Sequence, residues 1–196
     1  LENIEAAFAH GKGVILLSAH FTADEIGGRL IAELVEQPLN VMHREQSSEV
    51  FESVIGKARH GYLNHVILRD NVKTMIKCLK NNEGVYYLPD QNFEEEHSLF
   101  VPFMGVNTLT LTTTARFAKI NGCSVVPTFC YQRQDGKGFD IEFMPALSDY
   151  PSGDDYKDTC LINEIFETAI RKHPEQYFWL HRRFKIQPEG EPPFYD

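Results

Sequence analysis

The sequence predicts an α/β fold of three layers, in which a mixed, mostly parallel sheet lies between helices on both of its faces. The main observation is an alternation along the whole chain. Short apolar runs of strand length are followed by segments whose apolar residues recur at helical spacing. A second observation is Asp135-Gly136 between two strand-like runs, which is typical of a hairpin and makes one strand pair antiparallel.

Six segments are predicted to be strands because each is short, apolar and enriched in β-branched or aromatic residues. The first of them begins with four consecutive apolar residues, as expected of a strand that is buried on both faces. In chain order the predicted strands are Val14–Ser18, Leu39–His43, Val66–Leu68, Val85–Leu88, Val125–Gln132 and Phe139–Phe143.

Five segments are predicted to be helices from the spacing of their apolar residues. The third has Asp70 as its expected N-cap, and the fifth stops before Pro174. Residues 92–107 show no clear period, so a loop with the Glu94–Glu96 run at its tip is expected there. The predicted helices are Glu25–Val35, Glu49–Ala58, Asn71–Asn81, Leu109–Ile120 and Tyr156–Lys172.

The composition indicates one globular domain over residues 1–196, with 42% apolar and 24% charged residues. The formal net charge of −9 argues against a nucleic-acid-binding protein. The four cysteines form no Cys-x-x-Cys pair, which favours reduced thiols, and the eight histidines form no metal-ligand motif. We therefore predict no metal site. No apolar run reaches the roughly 18 residues typical of a membrane-spanning helix.

The basic residues are gathered in three groups, at positions 57–60, 73–80 and 182–185. Such groups are usually solvated surfaces, and this interpretation is kept for Lys73, Lys77 and Lys80. Arg182 and Arg183 are expected to form a surface pair that meets anionic head groups or an acidic protein.

His20 and Glu25 are the strongest candidates for chemistry in the chain. His20 follows the predicted strand Val14–Ser18 and so falls at a strand's carboxyl end, where open α/β sheets bind their ligands. A histidine there can take a proton from a hydroxyl group, and a nearby carboxylate can hold its tautomer and stabilise its cation. The alternative is a surface histidine beside a helix cap. Asp24 is the rival to Glu25 as the partner of His20.

Four blocks of the chain resemble, in order and spacing, the bacterial lipid A biosynthesis acyltransferases, within the wider lysophospholipid and glycerolipid acyltransferase superfamily. The carboxyl-terminal block is the most specific, because the short His-x-x-x-x-Glu box occurs across the superfamily. The resemblance covers nearly the whole chain. The four blocks are Gly11–Phe21, Tyr87–Phe93, Phe100–Phe103 and Pro174–Lys185.

This resemblance implies a glycerol-3-phosphate-acyltransferase-like fold and a single catalytic domain. It also implies transfer of a fatty acyl chain from an acyl carrier protein or coenzyme A thioester to a hydroxyl of a lipid A precursor. His20 would be the general base and Glu25 its orienting carboxylate. No cofactor and no acyl-enzyme are expected, in keeping with the absence of a Gly-x-Ser-x-Gly elbow.

Three further residues are expected to bind substrate. Arg59 aligns with a family arginine that lies near the catalytic pair, and Lys57 and Arg44 are alternatives for the same role. Asp90 falls in the family's Pro-Asp box and is expected to bind the substrate or to anchor Arg59. The alternatives are a surface arginine and a loop-capping Asx turn. We expect His20, Glu25, Arg59 and Asp90 to meet in one cleft, with an apolar groove leading from it.

The resemblance also implies partners and a location. These are an acyl carrier protein, an anionic glycolipid acceptor and the membrane surface, at the cytoplasmic face of the bacterial inner membrane. Family members usually carry an amino-terminal membrane anchor ahead of the segment matched here, and we expect this chain to lack that anchor. Trp179 and Leu180 are expected in the core.

Two alternative functions remain. One is an acyltransferase whose acceptor is a lysophospholipid, a glycolipid or an ornithine lipid. The other is a relative that binds lipid without catalysis.

Overall fold

The computed structural model describes residues 1–44, 48–91 and 96–196, without the side chain of Phe51. Eight strands form within these residues, six of them in one sheet and two in a separate hairpin. In chain order they are β1 (Val14–Leu17), β2 (Leu39–His43), β3 (His65–Leu68), β4 (Gly84–Tyr87), β5 (Ser98–Phe103), β6 (Val106–Leu111), β7 (Ser124–Gln132) and β8 (Phe139–Phe143).

The six-stranded sheet has the order β3-β2-β4-β1-β7-β8. Every neighbouring pair is parallel except β7 and β8, which are antiparallel. The turn between these two strands is the predicted hairpin, where the Asp135 Oδ1 atom accepts a hydrogen bond from the Lys137 N–H at 3.0 Å. The predicted mixed, mostly parallel sheet is therefore confirmed.

Helices cover both faces of the sheet. Helices α1 and α2 pack on one face and α4, α5 and α6 on the other, while α3 lies beside α2. Within the described ranges, none of these helices combines the length and the apolarity needed to cross a bilayer. The bounds are α1 (Glu2–Ala9), α2 (Asp24–Leu34), α3 (Glu49–His60), α4 (Val72–Lys80), α5 (Thr113–Asn121) and α6 (Asp155–Lys172).

Strand β1 is the centre of the molecule. All four of its residues are fully buried, because helices cover the sheet on both sides. Its alternate side chains enter two different cores: Leu16 packs with α1 and α2, whereas Ile15 and Leu17 pack with α4, α5 and α6. The end of β1, from which the chain continues towards His20, is thus fixed by packing on both faces of the sheet.

Strands β5 and β6 form an antiparallel hairpin that the sequence did not predict. Met104 and Gly105 link the two strands, and both have positive φ angles (51° and 81°), as a two-residue hairpin turn of this twist requires. Burial alternates along β5, with Val101 and Phe103 buried. The apolar run Leu99–Phe103 was the signal in the sequence for this strand.

Two predictions are corrected by this hairpin. Much of the loop expected at residues 92–107 is strand, and the helix expected over Leu109–Ile120 begins only at Thr113, because Leu109 belongs to β6. The expected loop tip at Glu94 and Glu95 lies outside the described residues.

The N-cap of α4 is also corrected. The Asn71 side chain, rather than that of Asp70, accepts a hydrogen bond from the Thr74 N–H, at 3.2 Å. Asp70 is highly exposed and pairs with Arg69 at 3.4 Å. Helix α1 was not predicted, and its Ile4 and Phe8 are buried in the core that it shares with α2.

In the carboxyl-terminal segment, the observed burial of side chains is the opposite of two predictions. Trp179 and Leu180 were expected in the core but are 47% and 85% exposed, whereas Arg183 was expected on the surface and is 1% exposed. The Arg183 guanidinium donates hydrogen bonds to the Leu109 carbonyl at 2.5 Å and to Thr110 Oγ1 at 2.7 Å. The burial of the Arg183 charge is tolerated because its N–H groups donate hydrogen bonds to acceptors on β6.

We predict that Arg183→Met destabilises the protein by about 1–3 kcal/mol, because it leaves acceptors of the β6 strand buried without their donor. The matched control is Arg182→Met at the neighbouring exposed position, where the lost interaction with the Tyr195 ring is worth about 1 kcal/mol or less. Urea unfolding of both variants measures the difference. Equal destabilisation of the two variants would contradict the assigned role of Arg183.

Candidate active site

Two neighbouring parallel strands bring His20 and Asp90 together. Leu17 of β1 is paired with Tyr87 of β4, and His20 and Asp90 each lie three residues beyond that pair. The His20 Nδ1 atom is 2.5 Å from Asp90 Oδ1, and the His20 backbone N–H donates to Asp90 Oδ2 at 3.0 Å. Both carboxylate oxygens are thus directed at one residue.

Tyr177 is the third member of this arrangement. Its hydroxyl donates a hydrogen bond to Asp90 Oδ2 at 3.0 Å, and its ring is 5% exposed. The surrounding backbone is tied to the same place, because the Phe178 N–H donates to the His20 carbonyl at 2.9 Å. The carboxyl-terminal segment therefore holds both the carboxylate and the backbone of the histidine.

The charges of this arrangement favour a protonated His20. Burial by itself lowers the pKa of His20, but the charge and hydrogen bond of the Asp90 carboxylate outweigh this and raise the pKa to about 9. Burial would raise the pKa of Asp90, yet the His20 cation and the hydrogen bonds from His20 and Tyr177 hold it below its ordinary value. The pair is therefore an imidazolium beside a carboxylate at neutral pH.

The second ring nitrogen of His20 is the one that can meet a substrate. The contact with Asp90 engages Nδ1, and the side chain as a whole is 34% exposed. Loss of one proton from the imidazolium leaves the Nδ1 proton on the side of Asp90 and a lone pair on Nε2. The arrangement can thus accept a proton at Nε2 and stabilise the resulting cation.

The predicted contact between His20 and Glu25 is wrong. Asp90 meets the His20 ring, and Glu25 instead pairs with Arg59, whose Nε donates to Glu25 Oε2 at 3.1 Å and whose Nη2 donates to Oε1. The expectation that Asp90 anchors Arg59 is wrong for the same reason. Glu25 remains close enough for its charge to raise the pKa of His20, as a smaller contribution than that of Asp90.

His43 extends the Glu25–Arg59 pair and was missed by the sequence analysis. Arg59 Nη1 donates to His43 Nδ1 at 2.9 Å, so the His43 ring carries its proton on Nε2, which lies 3.0 Å from Glu52 Oε1. His43 is the last residue of β2, next to β4 in the sheet. A histidine that ends a predicted parallel strand was the available signal.

Asp24, the rival partner of His20, is mostly buried beside the pair. The Tyr86 hydroxyl donates to Asp24 Oδ1 at 3.3 Å. Burial raises the pKa of Asp24 well above its ordinary value, the His20 cation opposes this, and the Asp90 carboxylate adds to it. Asp24 is therefore an inner carboxyl group that interacts electrostatically with His20 without meeting its ring.

Arg44 lies one position beyond β2 and is exposed. Among the described residues, no hydrogen bond or ion pair joins its side chain to His20, Glu25 or Arg59. The structure thus gathers four of the five predicted site residues, as two contact pairs at the carboxyl edge of the sheet. Arg44 stands apart from them.

Two cavities of about 300 and 270 Å³ lie elsewhere on the molecule. The first is lined by Arg29 of α2, by Ala58 of α3 and by Tyr62, which follows α3. The second is lined by the β7–β8 turn and His173. Neither is lined by His20 or is the apolar groove expected to lead from it. Among the described residues, no group of three or more His, Cys, Asp or Glu side chains is placed to hold a metal ion.

Comparison with known proteins decides the family. The model described as bacterial lipid A biosynthesis acyltransferase matches residues 1–186. The chain belongs to this family. The predicted resemblance is thereby confirmed, and the three-layer α/β fold agrees with it.

Curated relatives of this lipid A acyltransferase family align with the whole chain or nearly so. The palmitoleoyltransferase of Escherichia coli K12 is 31% identical over 196 residues, which are 100% of this chain and 63% of the relative. The lauroyltransferase of the same strain is 32% identical over the same shares. The myristoyltransferase of that strain is 31% identical over 97% of this chain and 59% of its own length. This chain thus spans about three fifths of these relatives.

We predict that Tyr177→Phe raises the pKa of His20 further, because an Asp90 carboxylate that loses a hydrogen-bond donor holds the His20 proton more strongly. The matched control is Tyr131→Phe. Tyr131 and Tyr177 both pack edge-on against Phe21, at 5.3 and 5.8 Å between ring centroids, but the Tyr131 hydroxyl has no hydrogen-bond partner among the described residues.

NMR titration of the His20 imidazole in labelled protein measures this difference. Tyr131→Phe is expected to leave the titration unchanged. An unchanged titration in Tyr177→Phe as well would show that Tyr177 only fills space.

Proposed function

We propose that this chain carries the catalytic site of an O-acyltransferase that moves a fatty acyl chain from a thioester to a hydroxyl group of a lipid A precursor. Membership of the lipid A acyltransferase family supports the reaction class. The observation that carries the proposal is His20 at the carboxyl end of β1, with Nδ1 held by the buried Asp90 and the rest of the ring partly exposed.

The proposed reaction is a direct transfer in which His20 first accepts and then returns a proton. The acceptor hydroxyl gives its proton to His20 Nε2 as its oxygen attacks the thioester carbonyl. The tetrahedral intermediate collapses to the ester, the carbon–sulfur bond breaks, and the leaving thiolate takes the proton from Nε2. Asp90 stabilises the imidazolium that exists between these two steps.

The cysteines support a transfer without an acyl-enzyme. Burial raises the pKa of Cys78 and Cys130 to about 12 and that of Cys123 to about 11, so these thiols stay protonated at neutral pH. Cys160 lies on α6, and burial also raises the pKa of its thiol. None of the four therefore supplies the thiolate that an acyl-enzyme on cysteine needs.

Glu25 and Arg59 have a second role in this proposal. Glu25 is half-exposed and Arg59 mostly buried, and each of the three guanidinium nitrogens of Arg59 contacts either Glu25 or His43. Its two terminal nitrogens each carry a second N–H, which is suited to a phosphate of the acceptor or to the developing oxyanion. Glu25 holds the guanidinium in place and adds negative charge beside His20.

The surface next to His20 fits a lipid acceptor that is delivered from a membrane. Phe178, Trp179 and Leu180 directly follow Tyr177 and are 41%, 47% and 85% exposed. Aromatic and aliphatic side chains of this kind suit the interface between water and lipid. We therefore propose association with the cytoplasmic face of the inner membrane, with this apolar segment rather than the buried Arg183 facing the lipid.

We predict that kcat/KM for acyl transfer rises with pH until about pH 9, because His20 must lose its proton before it can act as a base. His20→Ala is expected to lower the rate by roughly 10²–10⁴-fold at every pH. Asp90→Asn is expected to move the rise to lower pH and to lower the maximal rate.

Steady-state transfer from a labelled acyl thioester to a lipid A precursor measures these rates, with circular dichroism as a check of folding. Rates of His20→Ala close to those of the unaltered protein would refute the mechanism. Transfer to a lysophospholipid but not to a lipid A precursor would refute the proposed acceptor while preserving the chemistry.

A further inference from the structure

Helices α4 and α5 carry positive charge that no carboxylate on either helix offsets. Lys73, Lys77 and Lys80 lie on α4, and Arg116 and Lys119 lie on α5. These two helices hold five of the chain's 19 basic residues and none of its 28 acidic residues. The chain as a whole has a net charge of −9, so two helices with only basic charged residues form a local positive surface on a negatively charged protein.

The two helices present these residues on one surface. They pack against each other, and their apolar sides, including Met75 and Phe117, enter the same core. All five basic residues are exposed, and Lys73, Lys77 and Lys80 follow the spacing of one helical face. We call the exposed sides of α4 and α5 the basic surface.

The charge of the basic surface is largely unneutralised. Among the described residues, no carboxylate lies within ion-pair distance of any of its four lysines. The acidic residues that flank α4 are engaged elsewhere: Asp70 pairs with Arg69, and Glu83 is buried and accepts hydrogen bonds from Asn40 and Asn64. The charge is therefore available to a partner.

The basic surface begins at the same edge of the sheet as His20. Helix α4 follows the carboxyl end of β3, and the first residue of α5, Thr113, contacts the Tyr87 hydroxyl through its Oγ1 at 2.6 Å. Tyr87 is the last residue of β4, three positions before Asp90. A macromolecule on the outer sides of α4 and α5 thus has one end close to the catalytic edge.

The composition of the surface favours a folded acidic protein over a bilayer. Helices that bind membranes present both basic and apolar side chains to the lipid, but the apolar sides of α4 and α5 are used in the core. Ile120 is the one large apolar side chain of these two helices that is notably exposed. The exposed Phe178–Leu180 segment belongs to another part of the chain.

We propose that the basic surface of α4 and α5 docks the acidic carrier protein that brings the acyl chain as a thioester. This inference rests on the proposed transferase function and adds the surface on which a carrier donor would dock, the exposed sides of α4 and α5. Complementary charge would speed the encounter and orient the carrier so that its thioester reaches His20. Lys73 and Lys77 are then specificity determinants that do not touch the reacting atoms.

The test compares two double charge reversals. K73E/K77E reverses two charges on the basic surface, and R133E/K137E reverses two exposed charges at the β7–β8 turn. Each protein is assayed with two donors, a bacterial acyl carrier protein charged with a fatty acyl thioester and the same acyl group on pantetheine. Fluorescence anisotropy with the labelled carrier measures binding independently of turnover.

We expect K73E/K77E to weaken carrier binding and to lower kcat/KM with the carrier donor by about 10-fold or more at low salt. Rates with acyl-pantetheine are expected to stay within about twofold of the unaltered protein. R133E/K137E is expected to change neither. K73Q/K77Q, which removes the charges without reversing them, shows an intermediate loss and keeps the test valid if the reversal perturbs folding.

Several results would overturn the inference. Equal losses in K73E/K77E and R133E/K137E would show a general charge effect. Loss of binding to anionic phospholipid vesicles, with carrier binding unchanged, would assign the surface to membranes. Absence of measurable carrier binding by the unaltered protein would also refute it. Loss of carrier binding in K73E/K77E, with no turnover from either donor by any of the proteins, would instead refute the proposed function and leave the docking inference standing.

Discussion

The contact between the Asp90 carboxylate and His20 is the interaction on which the site depends. It joins the carboxyl ends of two central parallel strands and is completed by Tyr177 from the carboxyl-terminal segment. An ionised carboxylate that is buried this deeply must be matched by hydrogen bonds and an opposite charge. His20 and Tyr177 supply both, so the folding of three distant parts of the chain and the charge of the histidine are coupled.

Around this contact the site contains two groups of polar and charged residues, an inner layer and an outer layer, which have different roles. The inner layer, formed by Asp90 and Tyr177, sets the tautomer and the basicity of His20. The outer layer joins Glu25, through Arg59, to the His43 ring at the end of β2. The carboxylate of the His-x-x-x-x-Glu box thus acts on the histidine through space, while the direct partner comes from a residue 70 positions away.

Much of this architecture follows from local sequence patterns, and the rest depends on contacts between distant segments. The apolar run Val14–Leu17 places His20 at a strand end, and similar runs place the other strands of the sheet. The choice between Glu25 and Asp90 as the partner of His20 depends on the register of β1 against β4, which no local spacing encodes. The burial of Arg183 likewise depends on the β5–β6 hairpin, which lies far from it in the sequence and was not predicted.

The measurement that tests this account most directly is an NMR titration of His20 in Asp90→Asn and in Glu25→Gln. Burial alone lowers the pKa of His20 and the Asp90 carboxylate raises it. Asp90→Asn is therefore expected to lower that pKa well below 9. Glu25→Gln is expected to lower it only slightly. A large fall in Glu25→Gln together with little change in Asp90→Asn would contradict the central place given to Asp90.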